Sequence, residues 1–441
     1  MSTIASIPYI GWIPPFLVVL GVVIAIHEYG HYIVGRWCGI KAEVFSIGFG
    51  KPIYSWIDKR GTRWQIAWIP LGGYVKFLGD MNAASAGADD ERLAELSEEE
   101  RKGAFHLASL WRRALTVAAG PVFNFILTIA IFMGLAFYDG RQVNEPVVGF
   151  VDLSLNADIG LRAGDRVISL DGEFIEDFTS LAQTLTDNEG RVIKAKVDRG
   201  AGEEEIDVLF LRPAHVSMAT PGGPAADAGL RPNDIITAAN GVATPSFASL
   251  AEMVVASNGE PLALSVLRGG ETIEIAVTPR HEPVETANGT EMIWRIGVQN
   301  SGFGGVEPKF EAAGLIDAFD YGVARTVGII TATLDFIYEI FAGRADASML
   351  GGPIQIAKVS DQAAEQGLDS FIVWIALIST SIGLINLFPI PVLDGGHLVF
   401  YAIEALRGRP LRARWQEIGN GLGLSLILLL MVFATYNDLL R

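Results

Sequence analysis

The sequence predicts a multi-span α-helical membrane protein with four transmembrane helices, a membrane-associated β-hairpin region and two inserted α+β domains. Three observations carry that prediction. Apolar runs fall in Ile10–Trp37, Leu115–Tyr138, Phe371–Pro389 and Leu422–Phe433, the last being the core of a longer helix. Half of the 441 residues are hydrophobic, yet the formal net charge is -17, so apolar and acidic residues belong to different parts of a multidomain chain. Between the second and third runs the pattern changes to short strands, turns and acids, and one motif occurs twice. The single cysteine, Cys38, excludes an intrachain disulfide framework and a cysteine-rich zinc site. The acidic, unpatterned charge argues against nucleic acid as a partner.

The first run is almost uniformly apolar from Trp12 to Ile26 and then delivers His27-Glu28-Tyr29-Gly30-His31 without leaving the helix. Its length reads as a span rather than a cleavable leader. His27 and His31 are one helical turn apart, so both imidazoles face one side and can grip one metal ion, with zinc the best fit. Glu28 beside them is placed to act as general base on a water at the metal. Three ionisable residues in a bilayer segment are expensive and mark function. Residues 1–11 hold no Lys or Arg, whereas Arg36, Lys41, Lys51, Lys59, Arg60, Arg63, Arg112 and Arg113 follow the span. The positive-inside rule then puts the N-terminus outside, residues 37–111 in the cytoplasm and the metal motif in the cytoplasmic half of the membrane.

Val44–Gly79 reads as short β-like runs broken by glycine: Ile47-Gly48-Phe49-Gly50, Trp64–Pro70 and Leu71-Gly72-Gly73-Tyr74-Val75-Lys76-Phe77. Trp56, Trp64, Trp68 and Tyr74 favour an interfacial position. A sheet edge beside the metal would take an extended substrate by strand addition; a plain cytoplasmic hairpin is the other reading. Asn82–Lys102 is an acidic linker with a short helix. The second span contains Gly120-Pro121-Val122-Phe123-Asn124, and its Asn124 must face protein, either supporting the metal site or pairing with a neighbouring helix.

From Gly140 to His281 Asp and Glu outnumber Lys and Arg roughly two to one, which fits translocated modules. Gly160–Gly172 matches Gly229–Gly241, each opening on Gly-Leu, carrying an Asp five residues on and closing on Gly. Helix-like stretches, Phe178–Leu185 and Phe247–Val255, follow. This is the form seen in PDZ domains, so two PDZ-like modules are expected. They either take an extended peptide or chain end, or serve as spacers and a size filter. Gly223-Pro224-Ala225 precedes the second copy only, so the first lacks the usual ligand-loop pattern.

Glu282–Glu307 reads as a small β extension. Phe319, Val323, Val327, Ile330, Leu334, Ile337 and Phe341 recur at spacings of four and three, interrupted by Asp317, Asp320, Arg325, Asp335 and Glu339, which predicts an amphipathic helix on the outer membrane surface. If that helix does not cross, the third span runs inward and brings Asp394 to the depth of His27 and His31. Asp394 is the expected third ligand: Pro389 and Pro391 break the helix, and Gly395 and Gly396 allow close approach. Two His, one carboxylate and an open fourth position make a catalytic zinc set. His397 is the competing ligand. Arg407, Arg409, Arg412 and Arg414 mark a cytoplasmic loop before the fourth span.

The expected division is therefore 1–37 first span, 38–110 β region and linker, 111–138 second span, 139–215 and 216–281 the two modules, 282–368 β extension and surface helix, 369–397 third span, 398–418 loop and 419–437 fourth span.

His27-Glu28-xx-His31, Gly120-Pro121-xx-Asn124 and Asn386-xx-Pro389-x-Pro391-x-Leu393-Asp394-Gly395, in that order, resemble the site-2 protease family. With four spans and two PDZ-like modules between the second and third, the chain is similar to the bacterial regulator of sigma-E protease type (RseP-type), over nearly its whole length. The resemblance implies an intramembrane zinc endopeptidase with one Zn2+ per chain, set in the lipid of the bacterial inner membrane with both termini periplasmic. It implies regulated proteolysis of a single-span anti-sigma factor already trimmed by another protease. It makes Gly72, Gly73 and Tyr74 part of the substrate-binding edge, and gives Asn124, Asn386, Pro389 and Pro391 supporting places near zinc or substrate. Two other classes are weighed against it: a catalytically silent PDZ scaffold, which an intact Glu28 disfavours, and an ion transporter, which would show inverted repeats of spans.

Overall fold

The computed structural model describes residues 11–81, 89–151, 159–200, 202–220, 222–286, 289–300, 305–344, 351–409, 411 and 413–440. Residues 1–10, residues 82–88 of the acidic linker and Arg412 of the basic loop lie outside them. The chain forms two compact units, Met1–Gly134 with Leu315–Arg441, and Leu135–Gly314.

In the first unit, α1 (Ile13–Trp37) starts on Pro14 and Pro15, whose missing N–H groups cost nothing in a first turn. It ends where Gly39 takes φ +78°. There Gly39 N–H donates to Arg36 O and Ile40 N–H to Gly35 O, a Schellman closure. Next come β1 (Ala42–Ile57) and β2 (Arg63–Phe77). Here the expectation of short broken runs is corrected: the glycines bend two long strands instead of ending them. Because of the bends each strand pairs twice, Phe45 lying opposite both Val75 and Trp64, and Trp56 opposite Trp64. The paired segments run 52–57, 63–67, 44–47 and 73–77 across the sheet, which leaves 73–77 as an edge. Asp90–Glu95 and Glu98–Arg101 are short helices, the second closed by a Ser97–Glu100 capping box.

Helix α2 (Leu110–Asp139) holds Pro121 in its interior. Helix α3 (Leu315–Phe341) is continuous. A helix absent from the expected division follows, α4 (Pro353–Gln366). Too short and polar to register as a span, it buries Ala357 and lays Ile356 against Val19, Val23, Ile375 and Ile378. Its N-terminus is held by the nearly buried Asp438, whose carboxylate accepts from Gly352, Ile354 and Gln355 N–H at 2.8–3.0 Å.

The third apolar run is α5 (Leu368–Asn386), and it stops well before residue 397. A second correction follows: Asp394–Arg407 is a helix, α6, where a loop was expected from residue 398. Leu398, Val399, Phe400 and Tyr401 give α6 apolar residues, and Arg113 of α2 pairs with Glu404 at 2.6 Å and stacks over Tyr401. Helix α7 (Ala413–Leu440) completes the unit. Among the described residues, four helices are long and apolar enough to cross a membrane: Ile13–Trp37, Leu110–Asp139, Leu368–Asn386 and Arg414–Leu439. Helix α3 is not one of them.

The second unit contains the repeat as two modules of identical strand order. In one the sheet runs Glu173–Phe174, Arg166–Leu170, Val192–Asp198, Glu203–Leu209; in the other Val242–Ala243, Ile235–Ala239, Leu262–Arg268, Glu271–Val277. Helices Phe178–Asp187 and Phe247–Ala256 lie at equivalent places, capped by Asp177 and Ser246. Each module has its own core, around Phe178, Leu181 and Phe210 in one and Leu250, Leu264 and Val266 in the other. The modules are not consecutive, which corrects the boundaries 139–215 and 216–281. Val306–Pro308 pairs with Val148–Val151, and Val306 joins the first core, while Val298–Gln299 pairs with Met218–Ala219 in the second. Strands of two or three residues carry no readable periodicity, so these long-range closures leave no trace in the pattern.

The two copies share a polar staple. Arg199 reaches Asp165 and Gly160 O, and Arg268 reaches Asp234 and Gly229 O, the Arg–Asp separation being 34 residues in both. Both Asp side chains are essentially buried. Removing the cation strands a buried carboxylate, so Arg268→Ala is expected to destabilise its module by about 2 kcal/mol. Limited proteolysis of the full-length protein along a temperature ramp reads this out: residues 212–300 should become cleavable at lower temperature. Unchanged resistance would contradict the staple.

Candidate metal centre

His27 and His31 project from α1 because a helix returns to the same side after four residues. His31 Nδ1–H donates to Thr116 O of α2 at 2.9 Å, and a neutral imidazole that donates there keeps its lone pair at Nε2. That nitrogen lies 3.2 Å from His27 Nε2. Asp394 reaches the same point from α6, its Oδ2 3.2 Å from His27 Nε2 and 3.5 Å from His31 Nε2.

These separations test whether the residues suit zinc. Zinc bonds of about 2.0–2.1 Å at tetrahedral angles separate neighbouring ligand atoms by about 3.3 Å. The three donors therefore stand at coordination spacing, and no other set of three such residues is gathered this way among the described residues. The chemistry agrees, since two imidazoles and a carboxylate, all nearly buried, converge on one point.

The shell behind the donors is equally specific. Asn124 is fully buried on α2 with its amide 3.2 Å from His27 Nδ1. His27 can offer Nε2 to a metal only when Nδ1 carries the proton, so in that state the amide oxygen of Asn124 is the atom that accepts from it. The backbone carbonyl of Asn124 accepts from Ser379 Oγ of α5 at 2.9 Å, next to a ladder in which Thr380 donates to Thr128 and Thr128 to Ala376 O. Gly120 lies one turn before Asn124, and a Cβ there would collide with His31 Nε2 and its ring. The turn before α6 is strained: Val392, a β-branched residue, takes φ +88°, worth about 1–3 kcal/mol. Asp394 then occupies the first turn of α6, where the helix dipole favours a carboxylate.

A cavity of about 230 Å³ opens on the donors. Glu28, Gly73, Tyr74 and Asn386 line it, as does His397. Gly73 brings the sheet edge against α1: a Cβ would stand 3.0 Å from Glu28 Cγ and 2.8 Å from Ser46 O. The Glu28 carboxylate is within reach of the Val75 backbone N–H on that edge. Gly72, Pro389 and Pro391 are not in the lining. Gly72 instead leaves room for Phe49, Pro391 packs against Gly419 of α7, and Asn386 donates its amide to Ile382 O. Asp394, not His397, stands with the two α1 histidines. Thr116 and Val392 escaped the sequence reading because one acts through its carbonyl and the other through its backbone angle; neither leaves a residue-type signal.

A model of peptidase family M50 matches residues 15–430. The chain belongs to this family, the site-2 protease family. It is similar to a protein of Agrobacterium fabrum that bears a zinc metalloprotease name, 38% identical over 431 residues, covering 97% of this chain and 96% of the relative. A Rhizobium meliloti protein with the same kind of name is 36% identical over 429 residues, covering 97% and 96%. One from Neisseria meningitidis serogroup A is 34% identical over 454 residues, covering 97% and 98%. The M50 chain is thus a zinc metalloprotease, multi-pass in the membrane, acting within lipid on membrane proteins.

Two outcomes follow for this M50 centre. Gly120→Val should leave the purified protein helical by circular dichroism yet nearly devoid of zinc; full zinc occupancy would contradict the packing described. Asn124→Leu should weaken zinc binding roughly 10–100-fold in chelator competition.

Proposed function

We propose that this M50 protease cleaves the transmembrane segments of single-span proteins, with His27, His31 and Asp394 holding zinc and Glu28 as general base. The observation that carries the reading is one cavity lined by the donors, by Glu28 and by the sheet edge Gly73–Val75. Zinc, when bound, supplies a Lewis acid that polarises the scissile carbonyl and acidifies a water. Glu28 takes the proton of the attacking water and returns it to the leaving amine. A helical peptide bond is hidden by its own hydrogen bonding, so the substrate must be drawn out locally. The free edge at 73–77 offers backbone groups to pair with an extended segment. Tyr74 and Asn386, which line the cavity, would meet that segment, while Asn124, Pro389 and Pro391 would act behind the site by holding His27 and the Asp394 turn.

The Lys and Arg residues following α1 favour an inner-membrane orientation with both termini periplasmic and the metal in the cytoplasmic half. A pre-trimmed anti-sigma factor is the substrate this reading favours. The two repeat modules are PDZ-like. A cavity of about 150 Å³ in the second, between helix Phe247–Ala256 and residues 293–298, supports capture of a peptide or chain end there. In either role the modules would keep out substrates whose outer domains remain.

Proteoliposomes containing a model single-span substrate test the assignment. Glu28→Gln is expected to lower the cleavage rate at least about a hundredfold while zinc stays at one ion per chain. Cleavage at the wild-type rate would remove Glu28 from the chemistry and revive the silent-scaffold reading.

A further inference from the structure

The curled sheet of β1 and β2 also borders an open cleft of about 490 Å³ that adjoins the metal cavity at Tyr74. It is lined by Lys41, Arg63 and Lys76, by the single carboxylate Glu43, and by Ile57 and Tyr74. Three of these residues stand in one row across the sheet, where Val44 pairs with both Arg63 and Lys76, and Arg63 also pairs with Ile57. Residues that share a row point to one face, so Arg63 and Lys76 flank Val44 on the same side. Lys76 shares Glu43 at 3.5 Å. Lys41 and Arg63 form no ion pair with any described residue, although Lys41 also lies in the field of Glu100.

Three cations against one carboxylate is an unusual concentration in a chain of net charge -17. Its setting gives it meaning. Ile57, at the rim, is 71% exposed, and the adjoining part of the hairpin exposes Tyr54, Trp56 and Trp68 as well. Exposed aromatic and aliphatic residues on a membrane protein face acyl chains, and aromatic rings gather at the level of the headgroups. Cations just beyond such a rim meet phosphates. Arg63 can fork two N–H groups onto one phosphate, and the two lysines add point charges.

We infer that the cleft walled by Lys41, Arg63 and Lys76 binds the phosphate of an anionic phospholipid headgroup. This site shares only Tyr74 with the metal cavity and none of the metal-facing residues, so it stands whether or not the catalytic reading does. Its occupant would anchor the sheet at a fixed depth in the interface, and Lys76 belongs to the same strand as the edge residues Gly73 and Tyr74.

The test is native mass spectrometry of the full-length protein from micelles carrying equal amounts of phosphatidylglycerol and phosphatidylcholine. Wild type should retain one phosphatidylglycerol in clear preference. The triple variant Lys41→Gln, Arg63→Gln, Lys76→Gln should lose that preference, by roughly fivefold for each cation removed. Zinc content reports whether the triple variant has folded; if it has not, the three single variants each carry the fivefold expectation. Phosphatidylglycerol held equally by wild type and variants would overturn the proposal, and is the result expected if the cleft instead docks an acidic peptide. Equal retention of both lipids by wild type would overturn it too. Millimolar inorganic phosphate, added to wild type, separates the sources. Lipid retained in its presence supports the headgroup; lipid displaced would overturn the lipid assignment in favour of a soluble phosphate.

Discussion

Two imidazole nitrogens and a carboxylate oxygen meet inside an apolar bundle at separations of 3.2–3.5 Å, and with both nitrogens unprotonated such a meeting is repulsive unless a metal cation lies among them. Much of the first unit answers that constraint. His27 and His31 come from α1, Asp394 from α6, and the groups that aim the two histidines, Thr116 O and Asn124, from α2. No one helix can hold the site, so three must keep register. The hydroxyl ladder between α2 and α5 and the Arg113–Glu404 pair between α2 and α6 supply directional contacts where apolar packing in lipid supplies little preference. On the reading proposed here, strain at Val392 is tolerated on the same account, because a metal held by Asp394 would over-determine the turn.

The sheet edge answers a second constraint. In hydrocarbon an unpaired backbone group costs several kcal/mol, so a transmembrane helix resists being drawn out into an extended segment. On the reading proposed here, strand 73–77 lowers that cost by offering a partner for each exposed group. Gly73 matters because any side chain there would push the edge away from Glu28. The base and the segment it would act on are thereby brought to one cavity.

The sequence made the spans and the donors legible for different reasons. Spans are long, strongly periodic or uniformly apolar, and α1, α2, α5 and α7 sit where the apolar runs fall. His27 and His31 declare themselves through a helical spacing set in a hydrocarbon context. Asp394 needed a topological argument, since its distance in sequence says nothing of its distance in space. What stayed hidden was structure without a compositional signature. Helix α4 is too short and too polar to resemble a span, and α6 was hidden by the run of arginines that begins at its last residue, Arg407. The closure of one module by Val306–Pro308, after the whole of the other, rests on a three-residue pairing that no local pattern reports. Thr116 contributes only a carbonyl. Arg199 and Arg268, in contrast, could have been found, because the repeat continues through them at a constant separation from Asp165 and Asp234.

Zinc K-edge X-ray absorption on the purified protein tests the central claim most directly, because it counts the atoms around the metal without reference to activity. The account predicts a low-coordinate site with two imidazoles and oxygen ligands at about 2.0–2.1 Å, and loss of an oxygen ligand or of the metal in Asp394→Ala. A third imidazole in the spectrum would put His397 in place of Asp394 and contradict the arrangement from which the rest is argued.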